Sequence, residues 1–354
     1  MKIYHLIFVL ILFFSCNKED ENNNVMPPNN FGSGIYIVND QGISFLKDNV
    51  LTENIFYNTN NIALSNPKKI KFRGTKAYII SDNITTVNVN NFDLKDVIDG
   101  FTDLADIDFI SFDRVFAIDN GDSKVKVIDL ITNQITEDIE TGDNTYPSFI
   151  VSGKDKSFVL NGGSNINNYI DSTFIIIDHK NNQIPTTDII ASRFLASNPS
   201  SGVYIGATGD WLMYILCKGV YNSSVTSNIE SSFFRVYRDN GVIESSFNLP
   251  GIYNARNLIE SNNNLYFTSA NGVYSINRNT GFTQQLCNIN SDVLFVRTEE
   301  YDDNDSTTVS SFSQMLYVND INNNSNKIYK FNVSLMSFTD TIITNSRVRY
   351  INEY

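Results

Sequence analysis

Histidine and cysteine are scarce in this chain: 354 residues hold two His and three Cys. His5 and Cys16 fall in the first sixteen residues, which leaves His179, Cys217 and Cys287 for everything that follows. That is too little material for a zinc centre, haem ligation or a Ser-His-Asp triad. Positive charge is also in deficit, with 26 Lys and Arg against 39 Asp and Glu and a formal charge of −13. A chain of this sign repels phosphate backbones, so nucleic acid is not an expected partner. No glycine-rich, phosphate-cradling segment stands ahead of a helix, and no helical periodicity of useful length follows residue 30. What is abundant points elsewhere. Hydrophobic residues make up 42%, with 25 Phe and 18 Tyr, enough for a packed core. Aromatic and β-branched residues beside 18 Gly and many Asn favour strands and turns.

The N-terminus reads as an address. The apolar stretch Leu6–Phe14 is too short to cross a bilayer and suits the core of a signal peptide, residues 1–15. Leu12-Phe13-Phe14-Ser15-Cys16 resembles a bacterial lipobox, looser than usual in its two Phe. The resemblance implies a covalent lipid on Cys16, the only cofactor-like group expected, and an outer-membrane anchor. Asn17-Lys18-Glu19-Asp20-Glu21 then resembles the acidic export signal of surface-exposed Bacteroidetes lipoproteins, which implies a cell-surface location. Residues 16–33 are expected to be the lipidated Cys with an acidic, Asn-rich tether, and the fold to occupy 34–354.

One pattern repeats through the rest. Aromatics stand at Tyr36, Tyr78, Phe116, Phe158, Tyr214, Tyr266 and Tyr317, each in a short apolar strand. Three positions on, Asn39, Ser81, Asp119, Asn161, Cys217, Ser269 and Asp320 open a turn. The spacing brackets the blade length of propeller repeats. A later strand in each unit alternates inward and outward residues, as in Val125–Asp129, Phe174–Asp178 and Val273–Ile276. Unit two supplies four strands, Pro67–Phe72, Ala77–Ser81, Ile84–Val89 and Asp96–Phe101. Unit one supplies three, Ile35–Val38, Ile43–Leu46 and Asn54–Tyr57, and the missing one fits Arg347–Ile351 at the far end. The expectation is an all-β, seven-bladed β-propeller with 3+1 closure of the termini in one blade, which hides the sheet edges.

Val-Lys-Val-Ile-Asp-Leu-Ile-Thr-Asn (125–133) resembles the repeat of the YVTN and YncE-like propellers. With the lipoprotein start and the acidic charge, the chain is similar to the BtuG-like group of Bacteroidetes surface lipoproteins, which captures cobalamin. The resemblance implies a non-enzymatic binding protein that takes a nutrient, a corrinoid in that group, and hands it to a TonB-dependent transporter. No cobalamin-contacting residue is matched one by one. A protein-interaction or adhesion propeller is the alternative. A propeller lyase or hydrolase is a third reading, with Asp40, Asp82, Asp119 and Asp320 as the available carboxylates.

Ligands of propellers gather where variable loops crowd one end of the channel. That rim is expected to include Asn39, Asp40, Asp82, Asn120, Tyr146, Asn161, Tyr169, Tyr221, Tyr253 and Asp320. Tyr and Asn together offer flat amphipathic area with donors and acceptors. The largest rim loops are Gly162–Asp171 and Lys218–Glu230. His179 reads as a turn residue, Cys217 and Cys287 as free buried thiols rather than a disulfide, and Trp211 as core. The acidic run Tyr301–Ser306 reads as a solvated loop in preference to a calcium site, and no metal is expected. Asp-Ser/Thr motifs make Ser172, Ser306 and Thr341 candidates for O-glycosylation.

Overall fold

The computed structural model describes residues 30–153, 155–163, 170–179, 189–205, 211–221, 228–301 and 311–354. The chain begins with β1 (Ile35–Asn39), β2 (Gly42–Lys47), β3 (Val50–Thr52) and the short helix α1 (Ile55–Asn60). The second unit is β4 (Lys69–Arg73), β5 (Lys76–Ile80), β6 (Ile84–Asn88) and β7 (Leu94–Ile98). The third is β8 (Leu104–Phe109), β9 (Arg114–Asp119), β10 (Lys124–Asp129) and β11 (Gln134–Glu140). The fourth and fifth are β12 (Pro147–Ser152), β13 (Lys156–Asn161), β14 (Thr173–Asp178), β15 (Ile189–Phe194), then β16 (Pro199–Tyr204), β17 (Leu212–Cys217), β18 (Ser232–Tyr237), β19 (Ile243–Asn248). The sixth is β20 (Arg256–Ser261), β21 (Asn264–Ser269), β22 (Gly272–Ile276) and β23 (Thr283–Cys287). The seventh is β24 (Leu294–Tyr301), β25 (Ser311–Asp320), β26 (Asn324–Asn332) and β27 (Ser337–Ile343), and the chain ends in β28 (Val348–Glu353).

These pair antiparallel into seven four-stranded sheets, six of them in chain order and one ordered β28-β1-β2-β3. The protein is a seven-bladed β-propeller with 3+1 closure. β28 lies against β1 with Ile35 opposite Glu353 and Val38 opposite Tyr350. Gly34 and Tyr354 extend that seam by exchanging backbone hydrogen bonds of 3.2 and 3.1 Å. The six-residue α1 is the only helix among the described residues, and no helix there is long and apolar enough to cross a membrane.

Burial follows position in the blade. The second strand of a blade is buried along most or all of its length, as in Arg114–Asp119, while the outermost alternates, as in Gln134–Glu140. The core is divided into seven apolar clusters, each wedged between two adjacent blades. Tyr36, Val38 and Phe45 of blade one pack in this way on Ile70, Ala77 and Val87 of blade two. Burying both faces of a strand demands the continuous apolar runs seen in β1 and β9.

Two local readings change. Residues 54–57 are not the outer strand of blade one; that strand is β3, and Ile55–Asn60 form α1, held between Asn54 and Asn61 in left-handed backbone (φ 54° at each). Ile55 and Phe56 are buried by this turn, which short-range alternation cannot distinguish from a strand. Phe31, expected in the tether, is buried on the propeller, its ring packing edge-on to Phe45 and Phe92 (centroids 5.3 and 5.8 Å).

Closing a ring of antiparallel blades sends the turns after the first and third strands of each blade to one end. The turns after the second strands and the links between blades go to the other. They are called here the turn end and the link end.

Candidate functional site

The expected rim residues that the structure describes lie at the link end, but they do different work. Asn39 and Asn161 are fully buried at the ends of β1 and β13. Asn39 donates to Ser44 Oγ (2.9 Å) and accepts from Ser346 Oγ (3.0 Å), and Asn161 donates to Thr173 Oγ1 (2.8 Å). Asp119, equally buried, accepts backbone N–H groups from Thr102 and Asp103, each at 2.7 Å. In blade seven the buried residue is Asn319, with a bulge before Asp320; it accepts from Ser291 Oγ (2.7 Å) and donates to Asp292 Oδ1 (2.6 Å). This column therefore stitches strand ends to neighbouring links. Asp320 is a turn acceptor for Asn322 N (3.0 Å) and Asn323 Nδ2 (2.8 Å).

Asp40 is ion-paired to Arg349, and Asp82 accepts from Ser65 and Asn66, bonds that hold its carboxyl below the usual range. Asn120 donates to Pro147 O (3.1 Å). Tyr146 holds left-handed backbone (φ 48°), and its carbonyl accepts from Gly162 N (3.1 Å). Asp40, Asp82, Asp119 and Asp320 thus have separate partners in separate blades. Cys16, Tyr169, Ser306, the signal peptide, most of the tether and the run 302–305 lie outside the described residues, as do the tips of the two long rim loops. Ser172 is half-buried and Thr341 is exposed on β27.

Two of the expected residues meet. Tyr221 stacks on Tyr253, with ring centroids 5.6 Å apart and planes inclined by 30°. Tyr221 is 46% exposed, so the pair offers an aromatic face to solvent. Beside it, Lys218 O accepts from Asn254 N (3.0 Å), which ties the end of β17 to the link carrying Tyr253. The Lys218 ammonium is pushed below its ordinary pKa, first by burial and then by the charge of Arg256. Arg256 is pushed down by burial too, with Arg347 adding to the effect and Asp292 opposing it. Its guanidinium donates only to uncharged acceptors, Asn254 O (3.2 Å), Asn290 Oδ1 (3.1 Å) and Ser291 O (2.9 Å). Its Nε and that of Arg347 are buried without a hydrogen-bond acceptor. Two desolvated cations side by side, Lys218 and Arg256, favour a negatively charged visitor. Towards the channel axis, Asn66, Pro67, Lys68, Asp292 and Arg349 line a cavity of about 290 Å³.

Inside the channel the innermost strands carry charges. Asp106 on β8 accepts from Lys69 (2.7 Å) and is ion-paired to Lys71 (2.9 Å), both on β4. Burial raises the Asp106 pKa, but the two ammoniums outweigh it and the carboxyl sits below its usual value. Asp108, two residues on, goes the other way: burial raises it, the Asp106 charge adds to this, and Lys71 with Ser152 opposes incompletely. Ser152 N donates to Asp108 Oδ2 at 2.6 Å. The Tyr350 phenol, also raised by burial, feels the same charges. The rim reading passed over Lys218 and Arg256, and the channel charges too. A period-two pair of lysines and a period-two pair of aspartates were the signal, since such spacing puts both members on one strand face.

Three further residues are settled. His179 is buried beside Phe116 (centroids 6.1 Å), with its pKa lowered by burial and Nε2 lacking a hydrogen-bond partner. Cys217 and Cys287 are free and buried. Trp211 is not core: it is 57% exposed just ahead of β17, and the Arg238 guanidinium lies 4.9 Å from its ring.

Fold and site together define a seven-bladed propeller with its polar, aromatic-flanked channel mouth at the link end. No protein-family model matches the chain, and no curated protein does either. Among solved structures it is similar to a quinonprotein alcohol dehydrogenase-like protein from Bacteroides thetaiotaomicron, with a TM-score of 0.59 and 11% identity, covering 92% of this chain and 76% of that one. It is similar to hydrazine synthase from Kuenenia stuttgartiensis, with a TM-score of 0.59 and 13% identity over 81% of this chain and 89% of that one. At such identities the likeness is one of fold.

Proposed function

We propose that this chain is a surface-anchored, non-enzymatic binding protein, held by a lipid on Cys16, that captures an anionic nutrient at the link end for a TonB-dependent transporter. The observation that carries the reading is the Tyr221–Tyr253 stack beside Lys218 and Arg256, two desolvated cations. An aromatic face with adjacent, only partly compensated positive charge recognises a flat or ring-bearing molecule with an acidic group. A non-enzymatic role is supported by the separate partners of the four rim aspartates and by the lysines held on Asp106. The mouth cavity of about 290 Å³ falls just below the range for ligand pockets, about 300–1,000 Å³. A corrinoid would therefore lie across the rim with only its phosphate-bearing arm directed to the cations.

The test is calorimetric titration with cyanocobalamin and with a panel of nucleotides and sugar phosphates. Lys218→Gln and Tyr221→Ala are each expected to weaken the responding ligand at least tenfold while leaving the thermal midpoint unchanged. Absence of heat from every anionic compound, or full affinity retained in both variants, rejects the reading.

A further inference from the structure

The turn end carries a corner that the proposed binding site does not use. Phe112, in the turn between β8 and β9, is 88% exposed, and Ile131, after β10, is 75% exposed. Both border a cavity of about 510 Å³ that Arg73 and Lys76 also line. Arg73 lays its guanidinium 5.1 Å from the centre of the Phe109 ring and 5.9 Å from that of Phe112. Asp113, a carboxylate on the same cavity, is engaged by Ser111 Oγ at 2.7 Å. The corner thus combines two large apolar side chains in water with two cations, a composition that folding alone does not require.

The N-terminal segment joins the propeller beside this corner. Phe31 N donates to Asn90 O (2.6 Å) and Gly32 N to Val89 O (3.3 Å), while Val89 N donates to Thr75 O (3.0 Å). Thr75 itself lines the cavity. Fourteen residues, 17–30, separate Cys16 from Phe31. Fully extended, they reach at most about 50 Å. An anchor at residue 16 therefore holds this corner, rather than the link end, next to the bilayer at high effective concentration.

We propose that the corner docks on a lipid surface, with Phe112 and Ile131 entering the interface and Arg73 and Lys76 meeting lipid phosphates. Aromatic and aliphatic tips gain by leaving water at the headgroup boundary, and cations beside them pair with phosphate there. Nearness of the bilayer rests on the anchored reading given above; the chemistry of the corner does not. Docked in this way, the link end points away from the membrane, open to whatever arrives from outside.

The experiment places an environment-sensitive fluorophore on Thr132→Cys, next to Ile131, in the full-length protein, with Asn323→Cys at the link end as the control. Cys217 and Cys287 are buried and free, and Cys16 is blocked by the lipid in the anchored protein and replaced by Ser in the unanchored one, so the introduced thiol takes the label. In the membrane-anchored protein the Thr132 probe is expected to shift to the blue and to be quenched by lipids brominated in their acyl chains, with the Asn323 probe unchanged. Adding Phe112→Asp and Ile131→Asp is expected to abolish the shift while leaving the circular dichroism and melting midpoint intact. An anchored protein whose Thr132 probe stays in water overturns the proposal. If the protein is exported without an anchor, the anchored reading fails separately. The same probe is then read with vesicles of phosphatidylcholine and phosphatidylglycerol, where a shift supports the corner and its absence overturns it. A shift seen in native outer membranes but not in vesicles of their extracted lipids overturns it in favour of a protein partner.

Discussion

Replacing Asp106 by Asn removes the carboxylate that two channel lysines share, at 2.7 and 2.9 Å. Asp106 is 1% exposed, while Lys69 and Lys71 keep about a fifth of their side-chain surface (22% and 20%). A unit-charge pair at 4 Å is worth about 4 kcal/mol at an effective dielectric of 20, and desolvation of each ion offsets this by several kcal/mol. The intact cluster therefore contributes little net stability. Deleting only the carboxylate is different, because Lys69 stays partly buried without compensation and Lys71 keeps only Asp108 nearby, a loss of about 3–5 kcal/mol. Lys69, already pushed towards its neutral form by burial, limits the loss to the lower half of that range by shedding its proton. At about 2.1 cal/mol/K per residue, the unfolding entropy of the propeller is about 0.7 kcal/mol/K, so Asp106→Asn lowers the melting midpoint by about 4–6 °C. Asp108→Asn is the control: the amide still accepts from Ser152 N, and loss of a disfavoured charge leaves stability unchanged or higher at pH 7.

The pH dependence separates the two. The depressed Asp106 carboxyl contributes stability that is present above its unfolded pKa of about 3.9 and is lost as pH falls through its lower folded value. The raised Asp108 carboxyl contributes stability present below about 3.9 and lost as pH rises through its folded value. Relative to wild type, the variants therefore differ in opposite directions at pH 7 and both converge on it in acid. Calorimetry or urea denaturation between pH 3 and 8 reads this directly. An Asp106→Asn loss under about 1 kcal/mol at pH 7, or an equal loss in Asp108→Asn, refutes the argument.

Burial pushes the Cys217 and Cys287 thiols up to about 12 and about 11, so both are expected to resist an aromatic disulfide reagent at pH 8 and to react once urea unfolds the chain; rapid reaction of the native protein counts against the packing described. Gly219 has left-handed backbone (φ +71°), and a Cβ there would lie 2.2 Å from Ile229 O, so Gly219→Ala is expected to cost more than the roughly 1–2 kcal/mol of left-handed strain alone and to weaken ligand binding through Lys218 and Tyr221. Gly251→Ala, with similar backbone (φ +72°) and open space around it, is expected to show only that smaller strain in urea titrations.

Blade number and ring closure were legible because burial on both faces leaves an unmistakable trace in the sequence: Tyr36-Ile37-Val38 and Val115-Phe116-Ala117-Ile118 have no polar side, and only a strand between two blades needs that. Arg347–Ile351 was placed by counting strands, and it pairs beside β1 with its ends displaced by one or two residues. β25 ends at Asp320 as expected, but the buried residue of that column is Asn319, one position earlier, because the ladder shifts register between the two. Lys69, Lys71, Asp106 and Asp108 were missed for a different reason. Polar residues at period two look the same whether a strand faces bulk water or a channel, and only assembly of the ring decides which. The same holds for Trp211, whose composition suggested burial but whose ring is covered by Arg238 on one face instead. Tyr221 and Tyr253 were found by residue type, whereas the cations beside them acquire meaning only from the burial of the strand ends that bear them.

The seam between β1 and β28 sets when this protein can exist during its own synthesis. Ile35 faces Glu353 across 318 positions of sequence, so joining the two strands costs about 5 kcal/mol in loop-closure entropy before any neighbouring contact helps. Blades two to seven take their strands in order and can assemble while the chain emerges, but blade one lacks its innermost strand until residues 348–353 are out. Until then the growing molecule is an open arc with an unpaired edge on β1. Strand β28 therefore acts as a latch: removal of residues 348–353 is expected to leave the β1 edge unpaired, whereas its arrival completes blade one and closes the ring.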